Sequence, residues 1–265
     1  MEYMNVFLEE LIQKYSSDKK GSQASYIPEL AKVNPDYFAI ALVTVDGDVY
    51  SAGDVGQNFT LQSASKPFVY GMALEEHGRE FIRSRVGVEP SGEAFNSIVE
   101  LEKNTHRPYN PMINSGAIAI SSYIQDKDKI KRLERVLNLF GDYVNHPVSV
   151  DEAVFQSEKK TAHRNRSIAH LLRHFDVIGD DIEESLDLYF KQCSILINTV
   201  DLATMAATLA NNGVQPKSQK QVIKEEYVSD MLSLMFTCGM YDTAGEWAYT
   251  VAVSYTHLRA HETSL

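Results

Sequence analysis

The stretch Phe59-Thr-Leu-Gln-Ser-Ala-Ser-Lys-Pro-Phe-Val-Tyr70 changes its hydrophobic period in mid-course. Phe59 and Leu61 alternate with Thr60 and Gln62, the period-2 pattern of a half-buried strand. Phe68, Val69, Met72 and Ala73 then follow the 3.6-residue period of an amphipathic helix. Pro67 falls in the first helical turn, where its missing N–H costs little. An extended segment must therefore run directly into a helix, with Ser63 at the junction. Ser63 and Lys66 are three positions apart, so a helix sets both side chains on one face. A serine hydroxyl needs a neighbouring base to become a nucleophile, and a lysine of lowered pKa can serve. The N–H groups and positive dipole end of the helix start favour an oxyanion beside Ser63.

Spacing alone does not choose this pair. Ser-x-x-Lys recurs at Ser16/Lys19, Ser17/Lys20 and Ser157/Lys160. The two N-terminal copies lie in a polar, charged segment where a lysine stays solvated and protonated. The apolar surroundings of Lys66 can desolvate it and lower its pKa.

The 265 residues, 44% of them hydrophobic, suffice for one large domain or two small subdomains. A net charge of −11 argues against nucleic acid or an anionic membrane as partner. Cys193 and Cys238 show no paired spacing and sit in apolar helical surroundings, which reads as two buried free thiols in a reducing compartment. Glu2, Glu9 and Glu10 replace the basic start of a signal peptide, and the longest apolar run, near 38–45, is far short of a membrane span. A cytoplasmic protein is expected.

Along the chain, an amphipathic helix is expected over Met4–Tyr15, then a polar linker, then a short helical piece at Tyr26–Leu30. Asp46-Gly47 between the β-rich runs 38–44 and 48–51 marks a hairpin. Helices are expected near 64–76, 78–84, 114–125, 127–139, 149–157, 165–174, 181–192, 199–211 and 225–238. Thr199 with Asp201 marks one helix start and Asn211-Asn-Gly213 its stop. Trp247–Val253 returns to β character. The expected fold class is α+β, an antiparallel sheet with strands from both chain ends and a large helical insertion between them. Ser63 would stand where the two parts meet, a favoured place for a pocket.

Further segments carry polar or aromatic groups amid residues suited to burial: Tyr26, Asn110–Ala117, Ser157–Asn165, Leu186–Ser194 and Cys238–Gly245. Each alone is explained by a helix cap or a core tyrosine. His170 and His174 share a helix face but lack the glutamate of HExxH and a third ligand, so no metal site is assigned.

Taken jointly, these segments resemble the serine-dependent glutaminases, relatives of β-lactamases and penicillin-binding proteins. The resemblance runs from about Tyr26 to about Val251. It rests on Gln62–Lys66, Asn110–Ala117, Ser157-Glu158 with Arg164-Asn165-Arg166, Tyr189-Phe190 with Gln192-Cys-Ser194, and Gly239–Asp242 with Gly245–Tyr249. It implies a β-lactamase/transpeptidase-like fold, hydrolysis of L-glutamine to L-glutamate and ammonia, no metal or organic cofactor, and a homo-oligomer, dimer or tetramer, for the full-length parent. It makes Ser63 the nucleophile, Lys66 its base and Tyr241 a proton relay. It places Tyr26, Ser63, Asn114, Glu158, Asn165, Tyr189 and Tyr241 around the substrate. The roles are chemically sensible, since Glu158 is the carboxylate available for an ammonium, and Asn and Tyr side chains are neutral donors for a carboxylate.

The chain departs from the family pattern at its end. The family's Lys-Ser-Gly segment is absent, and with it a second oxyanion donor that would fall at Arg259. Ser254–Thr263 resembles a translated transposase-type sequencing adapter. One glutaminase domain is thus expected over 1–253, with its sheet part at about 26–62 and 242–253 and its helical part at about 63–241. Residues 254–265 read as a non-native tail. Two alternatives accompany this reading: a truncated, inactive fragment that at most binds glutamine, and a β-lactamase- or penicillin-binding-like serine hydrolase.

Overall fold

The computed structural model describes residues 2–99, 101, 106–126 and 128–250. Helix α1 (Glu2–Tyr15) packs, through the buried Leu8 among others, on a hairpin of β1 (Ala39–Val43) and β2 (Val49–Gly53). The hairpin is antiparallel, with Val43 opposite Val49 and Ala39 opposite Gly53. Its turn closes where Gly47 N–H donates to Thr44 O (3.0 Å), and Gly47 takes the positive φ of 89° that Asp-Gly turns supply.

A second antiparallel pair joins β3 (Phe59–Thr60) to β4 (Leu196–Ile197), with Phe59 opposite Ile197 and Thr60 opposite Leu196. Strand β4 has only two residues, too few to show a period-2 pattern, and had no sequence signal. A 3₁₀ turn, Gln62–Ser65, follows β3 and opens into α2 (Lys66–Arg85). Gly78 (φ 77°) interrupts α2 and separates the two helical stretches expected at 64–76 and 78–84.

The remaining helices among the described residues are α3 (Asn114–Tyr123), α4 (Lys129–Val144), α5 (Glu152–Thr161), α6 (His163–His174), α7 (Ile182–Cys193), α8 (Thr199–Ala210), α9 (Glu225–Cys238) and α10 (Ala244–Thr250). The N-cap of α8 is Asn198. It accepts from Asp201 N–H while the Asp201 side chain accepts from Asn198 N–H in return, so the helix starts at Thr199 as expected, with its cap one position earlier and Asp201 closing the capping box.

Helix α3 is the centre of the helical part. Residues 114–121 are buried, and α2, α6 and α7 pack around it. Its middle, Gly116–Ile120, is small or apolar on every side, which suits such a position. Phe68 of α2 anchors the neighbouring core, meeting Tyr143 edge-on at 4.8 Å and Phe140 at 6.0 Å between ring centroids.

Besides β4, which falls inside the span expected to be helical, the end of the described chain differs from expectation. Residues 244–250 form α10, where Trp247–Val253 read as a strand. Aromatic and β-branched residues fit a strand only when neighbours offer a pleated surface to pack on. Here the 3₁₀ turn at Tyr241–Thr243 instead leads straight into a helix with Ala244, Glu246 and Ala248. Residues 251–253 and the expected tail at 254–265 lie outside the described residues.

Gly116 permits the closest backbone approach near α3. A Cβ there would stand 1.9 Å from Asn110 O and 2.9 Å from Pro111 Cα, with backbone on the opposing side that cannot rotate away. Gly116→Ala is therefore expected to destabilise the fold by about 1–3 kcal/mol, despite alanine's better helix propensity. Urea unfolding of the two proteins checks this, and a gain in stability would contradict the close approach.

Candidate active site

The chain reverses sharply before Ser63. Gln62 adopts a left-handed φ of 51°, uncommon for a residue with a side chain, and the turn then delivers Ser63 just ahead of α2. Lys66, the first residue of α2, points into the protein and is buried. Its Nζ donates to Asn114 Oδ1 (2.8 Å) and lies 5.5 Å from the centroid of the Tyr241 ring. Burial disfavours the ammonium form and lowers its pKa from 10.5 to about 8, against an opposing attraction from Glu158.

Asn114 is the hub. Its Oδ1 accepts from both Lys66 Nζ and Tyr189 Oη (3.2 Å), and its Nδ2 donates to Asn165 Oδ1 (2.9 Å). It reaches this place because the preceding loop is clamped. Asn110 Oδ1 accepts from Met112 N–H and Ile113 N–H, while Asn110 Nδ2 donates to Glu89 O. On the other side, Tyr241 stands beside Ser63, both lining the same cavity. Tyr241 also has a left-handed φ of 52°, so backbone strain flanks the serine on both sides. Burial raises the pKa of the Tyr241 phenol, with the neighbouring Ser63 hydroxyl opposing, and raises that of Tyr189 well above its usual value.

Tyr26, Ser63, Asn114, Glu158, Asn165, Tyr189 and Tyr241 all line one cavity of about 300 Å³, with Lys66 behind Asn114. Tyr26 stands at the mouth, 60% exposed, with its hydroxyl 3.2 Å from Gln62 Oε1. Glu158 lies deep, and its Oε2 is buried without a hydrogen-bond partner among the described residues. Desolvation raises its pKa from 4.5 to about 7, while Lys66 pulls it down. A buried, unsatisfied carboxylate oxygen facing a cavity suits a cationic ligand group.

Gln62, Phe95, Asn96 and Cys193 line the same cavity and carry no individual role in the sequence reading. Gln62 and Cys193 lie inside the segments that carried the resemblance. Phe95 and Asn96 do not, and they are held in place by tertiary contacts. Asn114 N–H donates to Phe95 O (2.8 Å), Arg164 Nε donates to Asn96 O (2.7 Å), and the Phe95 ring lies 5.5 Å from that of Tyr241. Both cysteines are buried free thiols, and burial pushes the Cys193 thiol up. No group of three His, Cys, Asp or Glu side chains suited to a metal ion occurs among the described residues. No helix there is long and apolar enough to cross a membrane.

A serine at a helix start, a desolvated lysine one turn on and a tyrosine beside the serine, in an α+β fold, define the β-lactamase/transpeptidase-like class of structure. Comparison with known proteins narrows this. The glutaminase family model matches residues 21–255, and the chain belongs to the glutaminase family. It is 56% identical to a glutaminase of Trichormus variabilis over 246 residues, covering 93% of this chain and 73% of that protein. The structure of a probable glutaminase, ybaS, superposes with a TM-score of 0.90 at 38% identity, over 94% of this chain and 80% of the other. The structure of Mglu in its tris and glutamate form gives 0.88 at 38% identity, over 92% of this chain and 55% of the other.

Proposed function

We propose that this chain hydrolyses L-glutamine to L-glutamate and ammonia through a covalent intermediate on Ser63. The observation that carries the reading is that Ser63, Tyr241 and the buried Glu158 line one cavity, with the desolvated Lys66 hydrogen-bonded to Asn114 of the same lining. Neutral Lys66 takes the Ser63 proton as Oγ attacks the side-chain amide carbon. The resulting oxyanion is met by backbone N–H at the helix start. Collapse breaks the C–N bond, and the amide nitrogen leaves as ammonia with a proton relayed from Lys66 by Tyr241. Water then attacks the γ-glutamyl ester by the same route in reverse and frees glutamate and Ser63.

Substrate orientation follows from charge. Glu158 pairs with the α-ammonium, while Asn165 Nδ2 supplies a neutral donor for the α-carboxylate, with Tyr26 and Tyr189, whose hydroxyls are given to Gln62 and Asn114, packed around the same end. We place the reaction in the cytoplasm, in keeping with two buried free thiols, and expect a homo-oligomer as the family resemblance implies. The test is incubation with L-glutamine. Equal amounts of glutamate and ammonia support the reading, whereas hydrolysis of nitrocefin without glutamine turnover would replace it with a β-lactamase.

The pH profile is a second test. Lys66 is competent when neutral, above about 8, and Glu158 when ionised, above about 7. Both conditions are lost as pH falls. The plot of log kcat/KM against pH should therefore rise with a slope approaching about two below pH 7 and about one between 7 and 8. Steady-state rates from pH 5.5 to 9 decide it, and a flat profile would contradict both assignments.

A further inference from the structure

The turn that carries Ser63 is fastened along its length to one distant segment, residues 192–197. Phe59 pairs with Ile197 and Thr60 with Leu196, and Leu61 N–H donates to Ile195 O (2.8 Å). The last link is made by side chains. Gln192 Nε2 donates to Ser65 Oγ (3.4 Å), and Ser65 Oγ donates to Gln62 O (2.8 Å). The other end of the Gln192 amide, Oε1, accepts from Ser121 Oγ of α3 (3.1 Å). Gln192, Ser65 and Ser121 are each no more than 1% exposed.

Buried polar side chains are costly where an apolar residue would pack as well. This chain of them ends on the carbonyl of Gln62, the residue whose left-handed φ turns the backbone toward Ser63. The Gln62 side chain is tied down too, with Nε2 donating to Thr60 Oγ1 (2.9 Å) and Oε1 accepting from Tyr26. A single turn of α7 holds both halves of the site. Tyr189 fixes the Asn114 oxygen that receives Lys66, and Gln192 fixes the turn that presents Ser63.

We infer that Gln192 is a positioning residue, which holds the strained Gln62–Ser63 turn in its reactive geometry through Ser65. This rests on Ser63 being the nucleophile. Gln192 touches neither substrate nor the reacting atoms, and its effect should therefore fall on kcat and leave KM in place.

The test uses Gln192→Met, which keeps the volume and removes the amide, together with Ser65→Ala and the double variant. Hydrogen exchange reads the turn directly, at the amides of Leu61, Ala64 and Lys66, which are bonded to Ile195 O, Leu61 O and Ser63 O. Each single variant should raise exchange there about tenfold and leave α9 unchanged, since each breaks the buried side-chain link between Gln192 and the Gln62 carbonyl. The double variant should exchange no faster than the faster single one, because the two residues act in series. Where glutamine is turned over, kcat should fall by about tenfold with KM within about twofold. Unchanged exchange at the turn overturns the inference. So does a rise spread equally over α3, α7 and α9, the mark of a purely structural role, or effects that multiply in the double variant. A wild-type chain without ammonia release would count against the proposed activity, while exchange alone would still decide the role of Gln192.

Discussion

Replacing Ser63 with alanine is expected to reduce glutamine turnover by about 10⁴- to 10⁶-fold, the range for losing a nucleophile whose partners act as one unit. The size follows from the arrangement. In the proposed reaction Lys66 and Tyr241 both act on the proton of this hydroxyl, so without it neither has a proton to move. Binding should survive, because the groups assigned to the substrate's ammonium and carboxylate lie on other elements: Glu158 on α5, Asn165 on α6 and Tyr189 on α7. Ammonia release and calorimetric titration with L-glutamate separate the two effects. Retention of a tenth of the wild-type rate would exclude Ser63 as the nucleophile. Loss of binding together with rate would mean that the substitution had disturbed the turn.

Glu158→Gln is expected to raise the KM for glutamine by about 10²-fold, because truncating or neutralising one member of a buried charge pair typically costs a few kcal/mol. The effect on kcat should stay within about threefold, since the α-ammonium is held alike in ground and transition states. The sign of the stability change is opposite. Glu158 has a folded-state pKa of about 7, above its ordinary value of 4.5, so folding disfavours its ionised form progressively as pH rises from 4.5 through 7. The neutral amide carries no such cost, and the variant should melt no lower than the parent at pH 8. Its kcat/KM profile should also lose one of the two acid limbs. An unchanged KM would assign Glu158 to structure alone.

The sequence announced the Ser63 junction because two periodicities meet there, and the structure keeps both, as β3 and α2. Helices α3 to α9 were legible for the same reason, each having a stripe or a full surface of apolar residues. What escaped were contacts made between segments remote in sequence. Strand β4 exists only because β3 lies beside it, and two residues carry no pattern of their own. Phe95 and Asn96 reach the cavity through Asn114 and Arg164, which no local signal foretells. Gln192 reads as an ordinary polar residue at the end of an amphipathic helix until its burial is known. The misread Trp247–Thr250 shows the converse. Strand propensity was present without neighbouring strands among the described residues to realise it, and the chain formed α10.

The fastening of residues 59–65 to residues 192–197 also sets the order in which the site can be made. Ser65 and Gln192 are 127 residues apart, so their contact closes a loop holding α2 to α7. Closing a loop of that length costs about 4 kcal/mol of chain entropy before any contact rewards it. A nascent chain that has displayed Ser63 and Lys66, but not yet α7, lacks both the tether on Gln62 and the tyrosine on Asn114. Nucleophile reactivity should thus appear late and all at once during folding, when the last turn of α7 docks, and a γ-electrophilic glutamine analogue added at intervals during refolding would time that event.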